Sequence, residues 1–386
     1  MEYEIELACG RLRIRTVREE LPLARLIGFA SRQNPRRGFL FVSRVLGKHV
    51  PCAPRVMRDT YERLARALGD VPGPVLAIGL AETATGLGGG IADSLARGRA
   101  RDDVLFQHTT RHRLDVPVLL RFDEVHSHAP DHILYRPDPA LAARYRATET
   151  LVLIDDEITT GRTLTRLADA LAGHLPALRE IVILSLVNWL DPTARDRIAA
   201  ALPVSTRFVS LLDGTFDFQP DPAFAPTLPA GVLAQRPAPR PARADLGRRA
   251  LVMPPDGAAI ARTAQDLVQG LADRPPEAVT VIGTGELAYP AFLVAEALEA
   301  CGREVRFQGT TRSPILPGGA IADSLGCLDE HGEGVQNYLH NPPAPGACTI
   351  VVYESAHRDA AHRLPEQLGA RVCVLPDDAL TRAAPE

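Results

Sequence analysis

Asp155, Asp156 and Glu157 stand side by side in LVLIDDEITTGRT (151–163), behind a run of apolar residues and ahead of two threonines and a glycine. Adjacent carboxylates repel one another and resist burial, so three of them at the end of an apolar strand point to a ligand. In an open parallel sheet, the carboxyl ends of the strands are where ligands bind. Thr159, Thr160, Gly161, Arg162 and Thr163 follow and lead into a helical pattern. Backbone N–H groups at a helix start, joined by hydroxyls and by a glycine that tolerates positive φ, form a cradle for phosphate. Carboxylates suit sugar hydroxyls and the cradle suits a phosphate, so a sugar phosphate satisfies both.

A second loop of this type lies in AIGLAETATGLGGGIA (77–92), where Glu82, Thr83, Ala84, Thr85 and Gly86 follow an apolar run. The glycines that follow lack the last glycine of G-x-G-x-x-G, and no G-x-x-x-x-G-K occurs anywhere. By itself such a turn is equally compatible with helix packing. Arg111 closes FQHTTR and is placed either to meet an anion or to form a surface ion pair. Arg36, Arg37 and Lys48 form a basic cluster that either covers substrate or diphosphate or is a solvated face, the second being favoured. His126, His128 and His132 fit neither a helical zinc pair nor H-E-x-x-H. They read as ordinary loop histidines, with a place on a hood over the site and a general acid/base role as the alternatives.

These residues need a scaffold that brings strand ends together. PVLAIGL (74–80), DVLFQHTTR (103–111), LVLIDDE (151–157) and EIVILSLVNWL (180–190) are continuous apolar strands alternating with helical patterns, one of them beginning near Gly88. That alternation predicts an α/β fold with a parallel sheet buried on both faces. The C-terminal part repeats the grammar: VTVIGTGE (279–286) matches VLAIGLAE, REVRFQGTTR (303–312) matches DDVLFQHTTR, and TIVVYESA (349–356) matches LVLIDDEI. Three matches in the same order suggest a duplicated half. The copy carries Tyr353, Glu354 and Ser355 where the first has its three acids. A further match, IADSL at 91–95 and 321–325, is out of order. A proline-rich stretch divides the halves, giving units at 1–217 and 249–386 joined by a linker at 218–248.

Composition narrows the function classes. A net charge of −4 gives no field favouring nucleic acid or an acidic membrane. No stretch approaches the ~20 apolar residues that span a bilayer. Six scattered cysteines form neither zinc nor disulfide spacing, which fits a cytoplasmic, reducing environment. Of the 43 basic residues only Lys48 is a lysine.

The 151–163 segment resembles the phosphoribosyl diphosphate signature of type I, orotate-like phosphoribosyltransferases. NPRRGFLFVSRVLGKHVP (34–51), GLAETATGLG, FQHTTR and FDEVHSHAPDH (122–132) resemble the member of that class encoded with tellurite-resistance genes. Thr311, Arg312, Ser313 and Pro314 spell the signature of the TRSP domain, and GTGELAYP (283–290) and HGEGVQNYLHN (331–341) agree with it. The resemblance implies a Rossmann-like type I phosphoribosyltransferase fold followed by a smaller α/β domain. It implies that Asp155 and Asp156 meet the ribose 2- and 3-hydroxyls and that the Thr159–Thr163 loop, with Glu157 beside it, holds the 5-phosphate. Glu82, Thr83, Ala84, Thr85, Gly86 and Arg111 would lie near the diphosphate. Mg2+ would be the cofactor, a base-like small molecule the acceptor, and a homodimer the assembly. In the second half, Gly283, Thr284, Gly285, Glu286, Thr311, Arg312 and Ser313 would form a further anion site without independent ribosyl transfer, serving to bind a second substrate, complete the first site or act on the product, or would be a structural remnant of the duplication. The alternative is a non-catalytic regulator that binds the same donor.

Overall fold

The computed structural model describes residues 1–32, 37–123, 131–225, 246–271 and 278–380. In chain order the first half comprises β1 (Glu2–Leu7), β2 (Gly10–Glu19), α1 (Leu23–Leu26), β3 (Ile27–Ser31), β4 (Phe39–Ser43), α2 (Pro54–Leu68), β5 (Val75–Gly79), α3 (Ala84–Gly98), β6 (Val104–His108), β7 (Val118–Asp123), β8 (Asp131–Tyr135), α4 (Ala142–Arg146), β9 (Thr150–Ile158), α5 (Arg162–Ala172), β10 (Glu180–Asn188), α6 (Pro192–Ala201) and β11 (Ser205–Pro220). The second half continues with β12 (Leu251–Met253), α7 (Ala258–Gly270), β13 (Val279–Gly283), α8 (Ala288–Ala300), β14 (Val305–Gly309), β15 (Ser324–Leu328), β16 (Gln336–His340), β17 (Cys348–Tyr353), α9 (Leu364–Leu368) and β18 (Arg371–Val374).

The main sheet has the order β1-β2-β11-β10-β9-β5-β6-β12. Its centre, β11 to β6, is parallel, as continuous apolar strands require. Side chains alternate between two covered faces. Val75, Ala77, Val152, Ile154, Val182 and Leu184 pack toward α2 and α3. Leu76, Ile78, Leu151, Leu153, Ile181 and Ile183 pack toward α5. The edges are antiparallel: β1 and β2 alternate exposed and buried residues, as a half-solvated edge does.

Among the parallel strands, β5 is flanked by β6 on one side and β9 on the other. The chain therefore reverses winding direction between β5 and β9, which opens a crevice at their carboxyl ends. The second sheet, β14-β13-β17-β18, is parallel and winds in the same way. The matched motifs occupy corresponding places down to single hydrogen bonds. Thr109 N–H donates to Gly79 O at 3.0 Å, and Thr310 N–H to Gly283 O at 3.1 Å. Ala81 N–H donates to Thr109 Oγ1 at 2.8 Å, and Gly285 N–H to Thr310 Oγ1 at 2.7 Å. Thr110 bridges Ile133 as Thr311 bridges Tyr338. The out-of-order IADSL pair has no such correspondence: one copy lies in α3, the other runs into β15.

Three features differ from the sequence expectation. α3 begins at Ala84 rather than near Gly88, because its glycines are contact points inside a helix. A Cβ on Gly88 would come within 2.9 Å of Gly79 Cα, one on Gly89 within 2.3 Å of the Tyr289 ring, and one on Gly90 within 2.1 Å of Tyr61. β11 runs on to Pro220, into the stretch read as linker, because β2 pairs with it as far as Gly10. After the linker, β12 first adds an antiparallel edge to the first half's sheet beside β6. Most of the remaining linker, 226–245, lies outside the described residues, as do Arg36, His126 and His128. The halves share one apolar core, with Tyr61, Phe292 and Phe307 packed in a continuous chain of rings.

Candidate active site

The β5/β9 crevice collects the first group of sequence candidates. β9 carries Asp155, Asp156 and Glu157 in register with Ser185 to Val187 of β10. Asp156 N–H donates to Asp155 Oδ1 at 3.0 Å, turning that carboxylate back along the strand end. Glu157 is held by Arg37 through a 2.7 Å ion pair, and Arg37 in turn lies over the Phe39 and Phe41 rings. Glu157 Oε2 is buried with no hydrogen-bond partner among the described residues. Gly161 takes φ +66°, the left-handed conformation that turns the strand into α5. A Cβ there would also meet Ile198 at 2.8 Å. The first-turn N–H groups of α5, from Arg162 and Thr163 onward, are thereby presented beside the acids.

Burial first, and then the charge of Glu157, pushes Asp156 up to about 7, against the pull of its Asp155 contact and of Arg37. Between its ordinary value and about 7, the folded chain holds a proton that the unfolded chain has released. Stability therefore falls as pH rises through that window. Asp156→Asn removes this loss. The ligand-free variant is expected to melt about 2–5 °C above wild type at pH 8 and to converge with it at pH 4, read by scanning calorimetry.

Across the crevice, the loop after β5 is short. Glu82 and Thr83 are half-buried, whereas Ala84, Thr85 and Gly86 form the first turn of α3 and are buried. Gly86 faces Ala288 of the second half, where a Cβ would sit 3.0 Å from the alanine methyl. Glu82 receives Lys48 Nζ at 2.9 Å and the backbone N–H of Arg312 at 3.4 Å. Burial opposes its charge, but Lys48 and Arg312 outweigh burial and hold its carboxyl below the usual range. Lys48 is no surface residue: its side chain is 3% exposed, and it also donates to Gly285 O at 2.7 Å. Arg111 lies beside His132 Nε2 at 3.3 Å. His132 is buried, stacked on Phe122 and 3.1 Å from Thr109 Oγ1 through Nδ1. It braces Arg111 against the loop through Thr109, which accepts Ala81 N–H.

The second-half candidates gather at the junction with the first half. Glu286 accepts Thr110 Oγ1–H at 2.5 Å and Arg111 N–H at 2.7 Å, while Glu82 accepts Arg312 N–H. Each half thus sends its Thr-Thr-Arg turn to the other half's glutamate. Gly283 ends β13, Thr284 is buried, and Gly285 and Ser313 are half-buried at the same junction. The acid that corresponds to Asp156 is Glu354, just after β17, and Arg248 pairs with it at 2.7 Å while lying 3.7 Å from Glu286. Tyr353 turns inward to His362 at 2.7 Å. Beyond β17 the next helix, α9, has five residues, so no long helix start stands where α5 stands in the first half. Sequence reasoning placed Lys48 on a solvated face and missed Arg248. The rarity of lysine in this chain was the one signal for the first; the second lay inside apparent linker.

A phosphoribosyl transferase family model matches residues 26–215, and the model of the TRSP domain that lies C-terminal to it matches residues 248–368. Residues 26–215 are a domain of this phosphoribosyl transferase family. Its transferase half carries the β5/β9 crevice, and its TRSP half carries the Arg312 turn. Among solved structures, it is similar to adenine phosphoribosyl transferase from Trypanosoma brucei, at 15% identity over 49% of this chain and 76% of that one, with a TM-score of 0.34. The enzyme from Giardia lamblia gives 16% identity, 52% and 93% coverage, and 0.32. That from Rhodothermus marinus gives 21%, 50% and 93%, and 0.28. At these identities and scores, the likeness carries no argument about ligand or reaction. No curated protein matches the sequence. Among the described residues, no helix is long and apolar enough to cross a membrane, and all six cysteines are free.

Proposed function

We propose that the β5/β9 crevice transfers ribose 5-phosphate from phosphoribosyl diphosphate to a base-like acceptor, yielding a nucleotide-like product. The observation that carries this reading is the juxtaposition of an adjacent acid pair with a glycine-initiated helix start at a topological switch point. Asp155 and Asp156 accept the ribose hydroxyls, and the α5 start with Thr159, Thr160 and Thr163 receives the 5-phosphate. As the C1–O bond breaks, positive charge grows on the ribose ring and the paired carboxylates stabilise it. Negative charge grows on the diphosphate, which Arg111 and the Glu82–Ala84 loop face. A protonated Asp156 would donate to a sugar hydroxyl, and its ionised form would accept from one, so binding and proton release are linked at this residue.

The donors at this crevice are carboxylate oxygens, which fits a hard, oxygen-seeking ion such as magnesium. Among the described residues, no group of three or more His, Cys, Asp or Glu gathers to hold a metal. Asp155 and Asp156 would therefore hold the ion jointly with oxygens of the donor. When bound, it would supply charge neutralisation for the departing diphosphate. The link to tellurite resistance rests on the motif resemblance of the first half alone.

The test supplies the purified chain with phosphoribosyl diphosphate, magnesium and a panel of purine, pyrimidine and pyridine acceptors, and measures diphosphate release. Acceptor-dependent release is expected. Donor binding without release for any acceptor would favour a regulatory sensor instead, and no donor binding would remove the assignment of the crevice.

A further inference from the structure

The Thr-Arg-Ser-Pro turn of the second half follows β14 at the carboxyl end of its own sheet but does not stay there. Thr311 is fixed to Tyr338 by two backbone hydrogen bonds of 2.9 and 2.7 Å, and Ser313 O lies 2.9 Å from His340 Nε2. From there the chain leaves its own half. Arg312 N–H points at Glu82, Ile315 pairs antiparallel with Arg32, and Leu316 N–H donates to Ser31 O at 2.8 Å. Ile315 and Ile321 are buried with Ala30 and Val42 of the β3–β4 hairpin. The segment therefore begins at the loop after β5 and ends on β3, whose hairpin partner strand is preceded by Arg37, the partner of Glu157. It is a strap across the carboxyl ends of β5 and β9.

The reciprocal strap has no comparable site to serve. The second mouth lacks the phosphate-binding helix start, and Arg248 already neutralises its remaining acid. Of the two mouths built on this repeat, one keeps the acids, and the other's arginine turn is delivered to it. We propose that the TRSP half is a working part of the phosphoribosyl site, with the Arg312 guanidinium a ligand of the donor's diphosphate. This rests on the ribosyl-transfer reading given above. Arg111 and Arg312 hold equivalent places in the repeat, and the charge of each acts on Glu82. Arg312 is 19% exposed and lies 3.5 Å from Glu333, a loose contact that a polyanion can displace. A guanidinium fork matches phosphate oxygens two at a time.

Calorimetric titrations of the full-length wild type, Arg312→Ala and Arg312→Lys with inorganic diphosphate plus magnesium, and separately with ribose 5-phosphate, test this. Arg312→Ala is expected to weaken diphosphate binding about 10- to 100-fold, with part recovered in Arg312→Lys, while ribose 5-phosphate affinity stays at the wild-type value. Equal diphosphate affinity in wild type and Arg312→Ala would overturn the assignment and leave the ribosyl site standing. Wild type that binds neither compound would overturn both. An equal loss for both ligands would show that Arg312 merely supports the fold, and would also overturn the assignment.

Discussion

Changing Asp155 and Asp156 together to asparagine is expected to lower kcat/KM for ribosyl transfer by on the order of 10³-fold or more, with the fold intact. The acids sit at the end of β9, half-buried and in register with β10. Asparagine fills the same volume and keeps a carbonyl acceptor, so the strand end and the Asp156 N–H contact persist. What disappears is negative charge beside a ring that becomes positive in the transition state. Removing one preorganised electrostatic contact of this kind costs roughly 10²–10³ in rate, and two adjacent ones act as a unit. Burial and Glu157 already strain the charge on Asp156, so the double variant should melt no lower than wild type at neutral pH. Steady-state diphosphate release and a melting curve on the same preparation check both halves of the claim. Turnover within tenfold of wild type would place the ribose elsewhere.

The parts of this site legible in the sequence were those decided by short-range grammar. The apolar run, the acids and Gly161 follow one another within eleven residues, and each element specifies the next: strand, strand end, left-handed turn, helix. The repeat was legible for the same reason, since strand motifs are local. The sequence pattern places the start of α3 four residues late, near Gly88 instead of Ala84, because what the glycines do depends on distant rings: Gly89 meets Tyr289 and Gly90 meets Tyr61. Local composition extended the loop to Gly88; packing makes Ala84 onward a helix face. The hardest features were polar residues whose burial depends on the other half. Arg312 meets Glu82 across 230 residues, and Lys48 meets Gly285 across 237. No periodicity encodes such pairs. In the sequence the second-half candidates could be read as a further anion site, as a completion of the first site or as a remnant of duplication. In the fold they lie at the junction of the halves, where each half's Thr-Thr-Arg turn reaches the other's glutamate.

That exchange rests on Lys48, and Lys48→Met is expected to be the most destabilising single change at the junction, by about 3–5 kcal/mol. The ammonium joins three segments: its own loop, Glu82 of the first half and the Gly285 carbonyl of the second. Methionine keeps most of the stem's volume but leaves Glu82 charged and poorly compensated in a buried setting, the case in which breaking an ion pair costs most. Glu82→Gln in the same background should restore part of the loss, because the uncompensated charge is then gone; a coupling above ~1 kcal/mol is expected from the cycle. Lys48→Arg should also destabilise, since the stem runs past Gly309, where a Cβ would lie 3.3 Å from Lys48 Cδ. A planar fork does not fit where a single ammonium does. This explains why a chain that uses arginine at nearly every basic position keeps one lysine here. Urea unfolding of the four variants decides the matter. A Lys48→Met midpoint equal to that of wild type would mean that the halves are held by their apolar core alone, and that the reciprocal glutamate contacts follow from that packing instead of fixing it.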